Sequence, residues 1–255
     1  MIHFLVVDAL NLIRRIYAAT PDDDASAHFD SALDACRQSL GRALKEFTPS
    51  HAVAVFDGEG PTWRHERYDE YKAGRKPMPE PLRSGLTRYR SAFSELGVAS
   101  VDKPCIEADD VMATLAEKIA AHQGQATILS TDTAFCQLVS DRIRVWDHFN
   151  RRPLDAGYIA KKFLVRPEQL VDLWALAGSS TTHIPGVPGV GIKTAARLVT
   201  EHGDLDRVLG AAPRIGGRLG QNLREHADRA RLSRELARLR TDLELGWSSR
   251  SFRLG

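Results

Sequence analysis

Short apolar runs alternate with longer amphipathic stretches over about the first 165 residues of the chain. The runs are rich in β-branched residues and lie near residues 2–7, 52–56, 98–101, 126–131 and 143–147. The stretches between them carry apolar residues at helical spacing and lie near residues 28–47, 80–96, 108–122 and 155–163. Alternation of this kind is typical of βαβ units. We therefore predict an α/β fold with a mostly parallel sheet flanked by helices.

The pattern changes after about residue 165, where strand-like runs stop and helical periodicity continues. Apolar residues recur at helical spacing in segments 170–177, 218–226 and 228–240. A glycine- and proline-rich stretch, Gly178–Gly191, predicts a turn between two of these helices. We expect two regions, residues 1–164 and an all-helical region 165–255, which pack together because no flexible linker separates them.

Composition and cysteine content point to a protein of the cytoplasm. Hydrophobic residues make up 43% of the chain, but no apolar stretch approaches the ~20 residues of a membrane-spanning helix. The N-terminus has no basic leader typical of a secretory signal. The three cysteines, Cys36, Cys105 and Cys136, are odd in number and widely spaced, which favours a reducing compartment.

The two regions differ in charge, although the whole chain has a formal net charge of only +2. From Gly186 onward there are 13 Lys/Arg against 8 Asp/Glu, a net of +5, which leaves 22 against 25, a net of −3, for residues 1–185. This distribution suits a metal-dependent enzyme that acts on a polyanion. Solvated helix faces alone would give the same skew, so charge leaves both interpretations open.

Three of the apolar runs end on or just before an aspartate, namely Asp8, Asp57 and Asp132, and a fourth is followed by the acidic group Glu107–Asp110. In open α/β sheets ligands bind beyond the carboxyl ends of the strands, so these side chains are expected to converge. Closely spaced carboxylates repel one another unless a cation neutralises them. Hard oxygen ligands select Mg²⁺ or Mn²⁺. The predicted ligands are Asp8, Asp57, Glu107, Asp109, Asp110 and Asp132.

A single aspartate after a strand is more often a turn residue or a helix N-cap than a metal ligand. Only the repetition of such residues at four positions favours a metal site.

The second motif is the glycine-rich turn Ile184–Thr194, which leads into a helix from about Lys193. Ile192 separates Gly191 from Lys193, which excludes a P-loop, and Thr194 replaces the third glycine of a dinucleotide fingerprint. The remaining interpretations are a helix-hairpin-helix, which binds nucleic-acid backbone through amide N–H groups, and a purely structural helix connection. The predicted DNA-contacting residues here are Gly189, Val190, Gly191, Ile192, Lys193 and Thr194.

The segment Trp63–Lys76 interleaves aromatic and basic residues and directly follows the second strand and Asp57. Such a mixture suits backbone neutralisation and base stacking on single-stranded nucleic acid. Three acidic residues within it dilute the charge, so its position near the metal-binding edge matters more than its composition.

Together these motifs resemble the 5′-nuclease (flap endonuclease) superfamily, which includes phage flap endonucleases and the N-terminal nuclease domain of bacterial DNA polymerase I. The matching segments are Val7–Leu12, Val55–Asp57, Tyr71–Arg75, Glu107–Asp110, Ser130–Asp132 and Pro185–Ala195. The resemblance covers nearly the whole chain and extends to the stand-alone bacterial flap endonucleases.

The resemblance implies a PIN-like nuclease core with an arch segment at 58–82, followed by a helix-hairpin-helix region. It also implies a Mg²⁺-dependent 5′ nuclease, with Mn²⁺ as a substitute, that cleaves flapped or branched DNA in replication or repair. By resemblance Lys72, Arg75 and Arg15 stabilise charge on the scissile phosphate, and Tyr71 stacks on an unpaired base. A K⁺ ion is expected at the main-chain carbonyls of Leu176, Ala177, Pro185, Val187 and Val190. No nucleotide cofactor or membrane is implied, and a monomer is expected.

Three positions depart from the family pattern. The family has a second aspartate two residues after the one matched by Asp132, where this chain has Ala134. Its Gly-Asp-x-x-Asp segment appears here as Gly178–Thr182, with Ser179 and Thr182 at the acidic positions. The acidic residues of the family at these three positions are ligands of a second metal ion. Since this chain lacks them, we expect one Mg²⁺ per subunit.

Two other functions remain open from the sequence. The loss of the second site is compatible with a DNA-structure-binding protein whose catalysis has weakened. A single-strand RNase of PIN-like architecture is also possible, although the helix-hairpin-helix suits duplex backbone.

Overall fold

Six strands form a single sheet in the computed structural model, which describes residues 2–21 and 25–255, without the side chains of Ala25 and Ser26. The strands are His3–Asp8 (β1), His51–Val55 (β2), Ala99–Val101 (β3), Gln125–Leu129 (β4), Ile143–Asp147 (β5) and Arg152–Pro153 (β6). Their order is β3-β2-β1-β4-β5-β6, with β1 to β5 parallel and β6 antiparallel to β5. The predicted mostly parallel sheet is confirmed: each predicted run overlaps one of β1 to β5, whereas the two-residue β6 was not predicted.

Seven described helices accompany the sheet in the first part of the chain. They are Ala9–Ala19 (α1), Ala25–Phe47 (α2), Trp63–Arg67 (α3), Glu80–Ser84 (α4), Leu86–Glu95 (α5), Ala108–Ala121 (α6) and Ala156–Phe163 (α7). The sequence pattern did not predict α1, because it follows β1 without a turn and Asp8 is both the last strand residue and the helix N-cap. The helix predicted over 80–96 divides at Gly85, where an added Cβ would lie 2.2 Å from the Phe29 ring.

The second part of the chain is helical, as predicted, and its β-type pairings among the described residues are two isolated bridges, Ser179 with Ile184 and Arg253 with His51. Its α-helices are Leu170–Ala177 (α8), Ile192–His202 (α9), Leu205–Ala211 (α10), Gly217–Glu225 (α11) and Ala227–Ala237 (α12). The last helix ends three residues before the predicted 240, because residues 238–255 run back along the sheet domain. There Leu254 N–H donates to the Ser50 carbonyl (3.1 Å).

Alternate residues of the central strand pack on the two faces of the sheet. Leu5 and Val7 face a core formed with α1, α2 and α5, whereas Phe4 and Val6 face α6. The second core is continuous with buried residues of the C-terminal helices, including Leu173. The two regions therefore share apolar packing, as expected from the lack of a linker. In the part of the chain that the structure describes, no helix is both long and apolar enough to span a membrane.

Candidate functional site

The aspartates after β1, β2 and β4 lie at one edge of the sheet, because these strands are parallel neighbours. Asp8, Asp57 and Asp132 line a cavity of about 420 Å³ at this edge, and Asp109 of α6 lines it as well. The topology thus brings together four of the six predicted metal ligands.

Backbone N–H groups fix the orientation of the three strand-end carboxylates. Asp8 Oδ1 accepts from Asn11 N–H (3.1 Å) and Asp132 Oδ1 from Ala134 N–H (2.8 Å), so each caps the helical turn that follows it. Asp57 Oδ1 accepts from the N–H of Ala108, the first residue of α6 (2.8 Å). These aspartates therefore do both: they accept hydrogen bonds from backbone N–H groups, and they line the cavity. One oxygen is held by the backbone while the side chain lines the cavity.

Two of the cavity carboxylates, Asp8 and Asp109, are destabilised in their charged form. Asp8 is only 7% exposed, and burial, reinforced by the charges of Asp132 and Asp57, raises its pKa to about 7 despite hydrogen bonds from Ser130 and Asn11 that lower it. Desolvation, together with the charges of Asp132 and Asp8, raises the pKa of Asp109 well above its usual value. A metal cation bound in the cavity would offset the repulsion between these carboxylates.

The other two predicted ligands, Glu107 and Asp110, are held in ion pairs behind the cavity wall. Glu107 is 4% exposed and pairs with Lys72 Nζ (2.5 Å) and with Arg64. Asp110 is fully buried, and its oxygens accept from Arg64 Nη2 (2.8 Å), Trp63 Nε1 (2.8 Å) and Arg240 N–H (3.0 Å). Among the described residues no three His, Cys, Asp or Glu side chains are grouped closely enough to hold a metal ion. The six predicted ligands thus do not form one preformed cluster here.

Arg64 organises this buried layer and was not singled out by the sequence. Its side chain is 2% exposed; besides the two carboxylates, it donates to the main-chain carbonyls of Leu236 (2.9 Å) and Arg238 (3.0 Å). It therefore joins α3, the start of α6 and the end of α12. The only sequence signal was its place in the mixed aromatic and basic segment. Burying such a charge is tolerated only when all its donors find partners.

The three predicted catalytic cations line the cavity. Lys72 has a left-handed backbone conformation (φ 52°), and its N–H donates to the Thr182 carbonyl (3.0 Å). Burial alone would lower the pKa of Lys72, but the charges of Glu107 and Asp109 outweigh it and raise that pKa. Lys72 is therefore held as a cation. Arg75 is exposed.

Arg15 contacts the far side of the cavity rim. Its Nη1 donates to Thr131 Oγ1 (3.4 Å), and its guanidinium lies 4.9 Å from the centroid of the Phe149 ring. Asn11 reinforces the same edge, since its Nδ2 donates to Thr131 Oγ1 (3.0 Å). These contacts attach α1 to the end of β4.

Tyr71 also lines the cavity but is only 5% exposed. Its hydroxyl donates to Glu107 Oε1 (3.3 Å), and its ring packs in a small cluster with Ile184 and Leu236. Burial, with the neighbouring charge of Glu107, raises the pKa of Tyr71. Most of the ring is thus covered by protein, and its stacking on a DNA base stays a prediction.

The positions where the family carries additional carboxylates lie on the wall of the same cavity. Ala134, Ser179, Thr181 and Thr182 line it. Ser179 Oγ and Thr181 Oγ1 are 3.1 Å apart, and Thr182 Oγ1 is buried without a hydrogen-bond partner. This side of the cavity therefore presents a methyl group and hydroxyl groups.

The turn between α8 and α9 depends on two glycines that approach each other closely. Gly178 and Gly186 have φ values of +71° and +60°, and a Cβ at Gly186 would lie 2.5 Å from the Gly178 nitrogen. Only glycine combines that backbone conformation with so little space. The Gly186 N–H donates to Ser233 Oγ of α12 (2.9 Å), so the turn is also attached to a neighbouring helix.

The exposed tip of this hairpin contains most of the predicted DNA contacts. Gly189, Gly191, Ile192 and Lys193 are exposed and Thr194 is half-buried at the start of α9, whereas the Val190 side chain belongs to the core. The tip therefore presents backbone N–H groups and one lysine to solvent. Contact between these residues and DNA stays a prediction.

Some of the carbonyls predicted to bind K⁺ already accept hydrogen bonds. Leu176 O accepts from Val187 N–H (2.7 Å), and Val187 O accepts from Val190 N–H (3.1 Å). Pro185 O accepts from Arg229 Nη2 (3.4 Å), which places a positive charge beside this turn.

Two family models match the chain. The model described as 5′-3′ exonuclease, N-terminal resolvase-like domain, matches residues 3–166, and the model described as 5′-3′ exonuclease, C-terminal SAM fold, matches residues 165–255. The chain is 45% identical over 255 residues to Flap endonuclease Xni of Klebsiella pneumoniae, covering 99% of this chain and 98% of the relative. It is 44% identical over 258 residues to Flap endonuclease Xni of Aeromonas hydrophila, covering 98% and 95%.

Solved structures of similar fold come from phage T5 and from Rad2. The T5 5′-exonuclease with bound zinc has a TM-score of 0.76 at 22% identity, covering 92% of this chain and 89% of that chain. The catalytic core of Rad2 in complex with DNA substrate has a TM-score of 0.56 at 18% identity, covering 89% and 72%. At these identities the likeness concerns the fold alone.

The raised pKa of Asp8 predicts a pH effect on the stability of the metal-free protein. Between the unperturbed pKa of 3.8 and the folded-state pKa of about 7, the folded state binds more protons than the unfolded state. Its stability contribution therefore falls as the pH rises through this window. In EDTA, Asp8→Asn should become progressively more stable relative to the wild type over the same range. Thermal unfolding at several pH values measures this difference, and a difference independent of pH would contradict the assignment.

Proposed function

The chain belongs to the 5′-3′ exonuclease family, and we propose that it is a 5′ flap endonuclease that hydrolyses phosphodiester bonds at branched DNA in replication or repair. One observation carries the proposal. A single cavity holds four carboxylates opposite the cationic side chains of Lys72, Arg75 and Arg15, and the segment leading into a helix-hairpin-helix forms part of its wall. The identity to flap endonucleases over nearly the whole chain supports the same function.

The donor set of the cavity fits a divalent cation, and we infer Mg²⁺, with Mn²⁺ as a substitute. Its donors are carboxylate oxygens, which these ions prefer, and burial together with the neighbouring carboxylates disfavours the charged forms of Asp8 and Asp109, which a bound cation would stabilise. The T5 exonuclease, solved with divalent metal ions, supports metal use. When bound, the ion supplies electrostatic stabilisation of the phosphate and a more acidic water.

The residues proposed to hold this ion are those that face the cavity, namely Asp8, Asp57, Asp109 and Asp132. Glu107 and Asp110 would join them only by giving up contacts with Lys72 or Arg64. In the arrangement described above, they act on the site through these cations. Glu107 fixes the ammonium group of Lys72, and Asp110 fixes the guanidinium of Arg64.

The cationic side chains have the task of binding the scissile phosphate. Lys72 remains protonated beside Glu107 and lies at the cavity wall. Arg75, at the exposed rim, suits bidentate binding of phosphate oxygens, and Arg15 adds positive charge from the side of α1. These three residues would orient the phosphate and stabilise charge that develops on it.

The remaining wall of the cavity argues against a second metal site. Ala134 offers no ligand, and the hydroxyl groups of Ser179 and Thr182 carry no charge with which to hold Mg²⁺ tightly. We therefore propose one Mg²⁺ per subunit in the DNA-free protein. A monomeric state and a cytoplasmic location stay predictions.

One assay distinguishes the proposed flap endonuclease from the two alternative functions, a DNA-binding protein with weakened catalysis and a PIN-like RNase. Purified protein is incubated with Mg²⁺ and labelled DNA carrying a 5′ flap, and in parallel with single-stranded RNA. A flap endonuclease cuts the DNA near the branch. DNA binding without cutting would favour the weakened protein, and cleavage of RNA alone would favour the RNase.

Replacing Asp109 and Asp110 separately should affect different properties: the first substitution should reduce the cleavage rate, and the second should reduce the stability of the fold. Asp109→Asn is expected to reduce flap cleavage by about 100-fold or more, as removal of one electrostatic contributor at an active site does. Its stability in EDTA should not fall, because a repulsive charge is removed. Asp110→Asn should lower the free energy of unfolding by about 3 kcal/mol, because Arg64 loses its buried partner. Cleavage rates and chemical denaturation measure both.

The two variants, Asp109→Asn and Asp110→Asn, control for each other, because they make the same chemical change at adjacent positions of α6. Flap-DNA binding without divalent ions should be retained by Asp109→Asn. A fully stable Asp110→Asn variant that had lost all cleavage would show that Asp110 binds the metal directly, as the family resemblance implies.

The helix-hairpin-helix is proposed to bind K⁺ and, through it, duplex backbone. At equal ionic strength, duplex-containing DNA should bind more tightly in K⁺ than in Na⁺, because the larger ion suits a ring of main-chain carbonyls. Equal ionic strength is essential, since salt weakens any phosphate contact. Fluorescence anisotropy measures the dissociation constants in the two salts. The same measurement on the Arg229→Gln variant tests whether the positive charge beside the turn affects them. Equal affinities in the two salts would contradict an ion at this turn.

A further inference from the structure

A second groove lies on the other side of the Arg64 layer from the carboxylate cavity. It has a volume of about 550 Å³ and is lined by Trp63 and by residues from the end of α12 and the segment after it. Leu239 lines both the groove and the carboxylate cavity. The two concavities are therefore adjacent and share this residue in their walls.

Four arginines dominate the lining of this groove, and two of them lack an ionic partner. Arg231 pairs with Asp228 and Arg234 with Asp206, each at 2.7 Å. Arg238 and Arg240 are exposed, and neither has a carboxylate within 4.0 Å among the described residues.

Two carboxylates also line the groove. Glu235 pairs with Arg67 (3.0 Å), whereas Asp242 is exposed and forms no ion pair within the described part of the chain. The groove therefore keeps an excess of positive charge facing solvent.

The side chain of Arg240 is held in place rather than free. Its guanidinium lies 4.1 Å from the centroid of the Trp63 ring, a cation–π contact that restricts its conformations. Trp63 Nε1 and Arg240 N–H both donate to Asp110. The wall of the groove is thus built on the same buried carboxylate that neutralises Arg64.

The backbone of Arg238 is fixed by the same layer. Its carbonyl accepts from Arg64 Nη2 (3.0 Å), and its N–H donates to the Arg234 carbonyl (3.1 Å). The exposed guanidinium therefore projects from an ordered point of the chain. Two arginines placed in this way are suited to bidentate binding of successive phosphates.

We propose that this groove binds the single-stranded 5′ arm of a flap substrate where it leaves the carboxylate cavity. The proposal rests on the proposed flap endonuclease function and names a binding surface for one part of the substrate. Charge complementarity identifies a polyanion, and the position of the groove next to the carboxylate cavity favours the strand that would be cut there. A groove of this size accepts a flexible single strand more readily than a rigid duplex, which the exposed hairpin is placed to bind.

The test compares two DNAs with the same duplex, one nicked and one carrying a 5′ single-stranded arm at the nick. Binding is measured by anisotropy in EDTA, so that cleavage does not intervene, for the wild type and for the double variant Arg238→Gln/Arg240→Gln. The variant should lose most of the additional affinity that the arm confers, while its affinity for the nicked duplex stays unchanged. Its salt slope on the armed DNA should fall by about 1.4, at about 0.7 per single-strand phosphate contact.

Two further variants control for charge and folding. Arg250→Gln removes an exposed arginine near Phe252, which packs against Phe4 at the start of β1, and should leave both affinities unchanged. Asp242→Asn removes the unpaired carboxylate of the groove and should strengthen binding of the armed DNA alone. Thermal unfolding confirms that each variant is folded.

The outcomes separate this proposal from the function on which it rests. Equal weakening on both DNAs would assign the groove to duplex binding, and no weakening on either would leave it without a DNA role; either result overturns the proposal. Cleavage of the armed DNA by the wild type in Mg²⁺ tests the nuclease function independently. If the wild type binds the arm through these arginines but does not cut, only the nuclease function fails.

Discussion

The buried guanidinium of Arg64, neutralised by Glu107 and Asp110, is the interaction on which the site depends. It lies where the segment after β2, the start of α6 and the end of α12 meet, and it also donates to two main-chain carbonyls of the C-terminal region. Removing one member would leave an unpaired charge in the interior, which costs far more than a surface ion pair contributes. The sheet domain and the helical region are therefore joined at the same point that holds the acidic residues at the start of α6.

This arrangement divides the acidic residues into two groups with different tasks. Glu107 and Asp110 are compensated by Lys72 and Arg64, and the pKa of Glu107 is lowered by these cations even though burial would raise it. Asp8 and Asp109 remain undercompensated, with raised pKa values. Burial and mutual repulsion thus disfavour the charged forms of two carboxylates in the cavity where we propose that a metal ion binds. Backbone N–H groups hold the strand-end aspartates in place, so the cavity is organised before an ion arrives.

The sequence was informative wherever the signal was local. Strand periodicity and the rule that ligands lie beyond strand ends were enough to place Asp8, Asp57 and Asp132 together. The hairpin was likewise predictable from glycines, since Gly178 and Gly186 leave no room for a side chain. Long-range partnerships could not be predicted in this way. The partners of Arg64 lie 43 to 174 residues away, and nothing near position 64 distinguishes a buried arginine from the exposed ones beside it. The same holds for Asp110, which was predicted as a metal ligand, whereas its contacts with Trp63 and Arg240 join residues that are far from it in the sequence.

We propose that four cavity-facing aspartates, opposite a wall without further carboxylates, form a site for one divalent ion. Calorimetric titration of Mg²⁺ into the DNA-free wild-type protein tests it most directly, with Asp109→Asn as the control that should abolish the binding signal. We expect a stoichiometry of one ion per chain. Two tightly bound ions in the wild type would contradict it, because the walls at Ala134, Ser179 and Thr182 would then be supplying a second site without carboxylates.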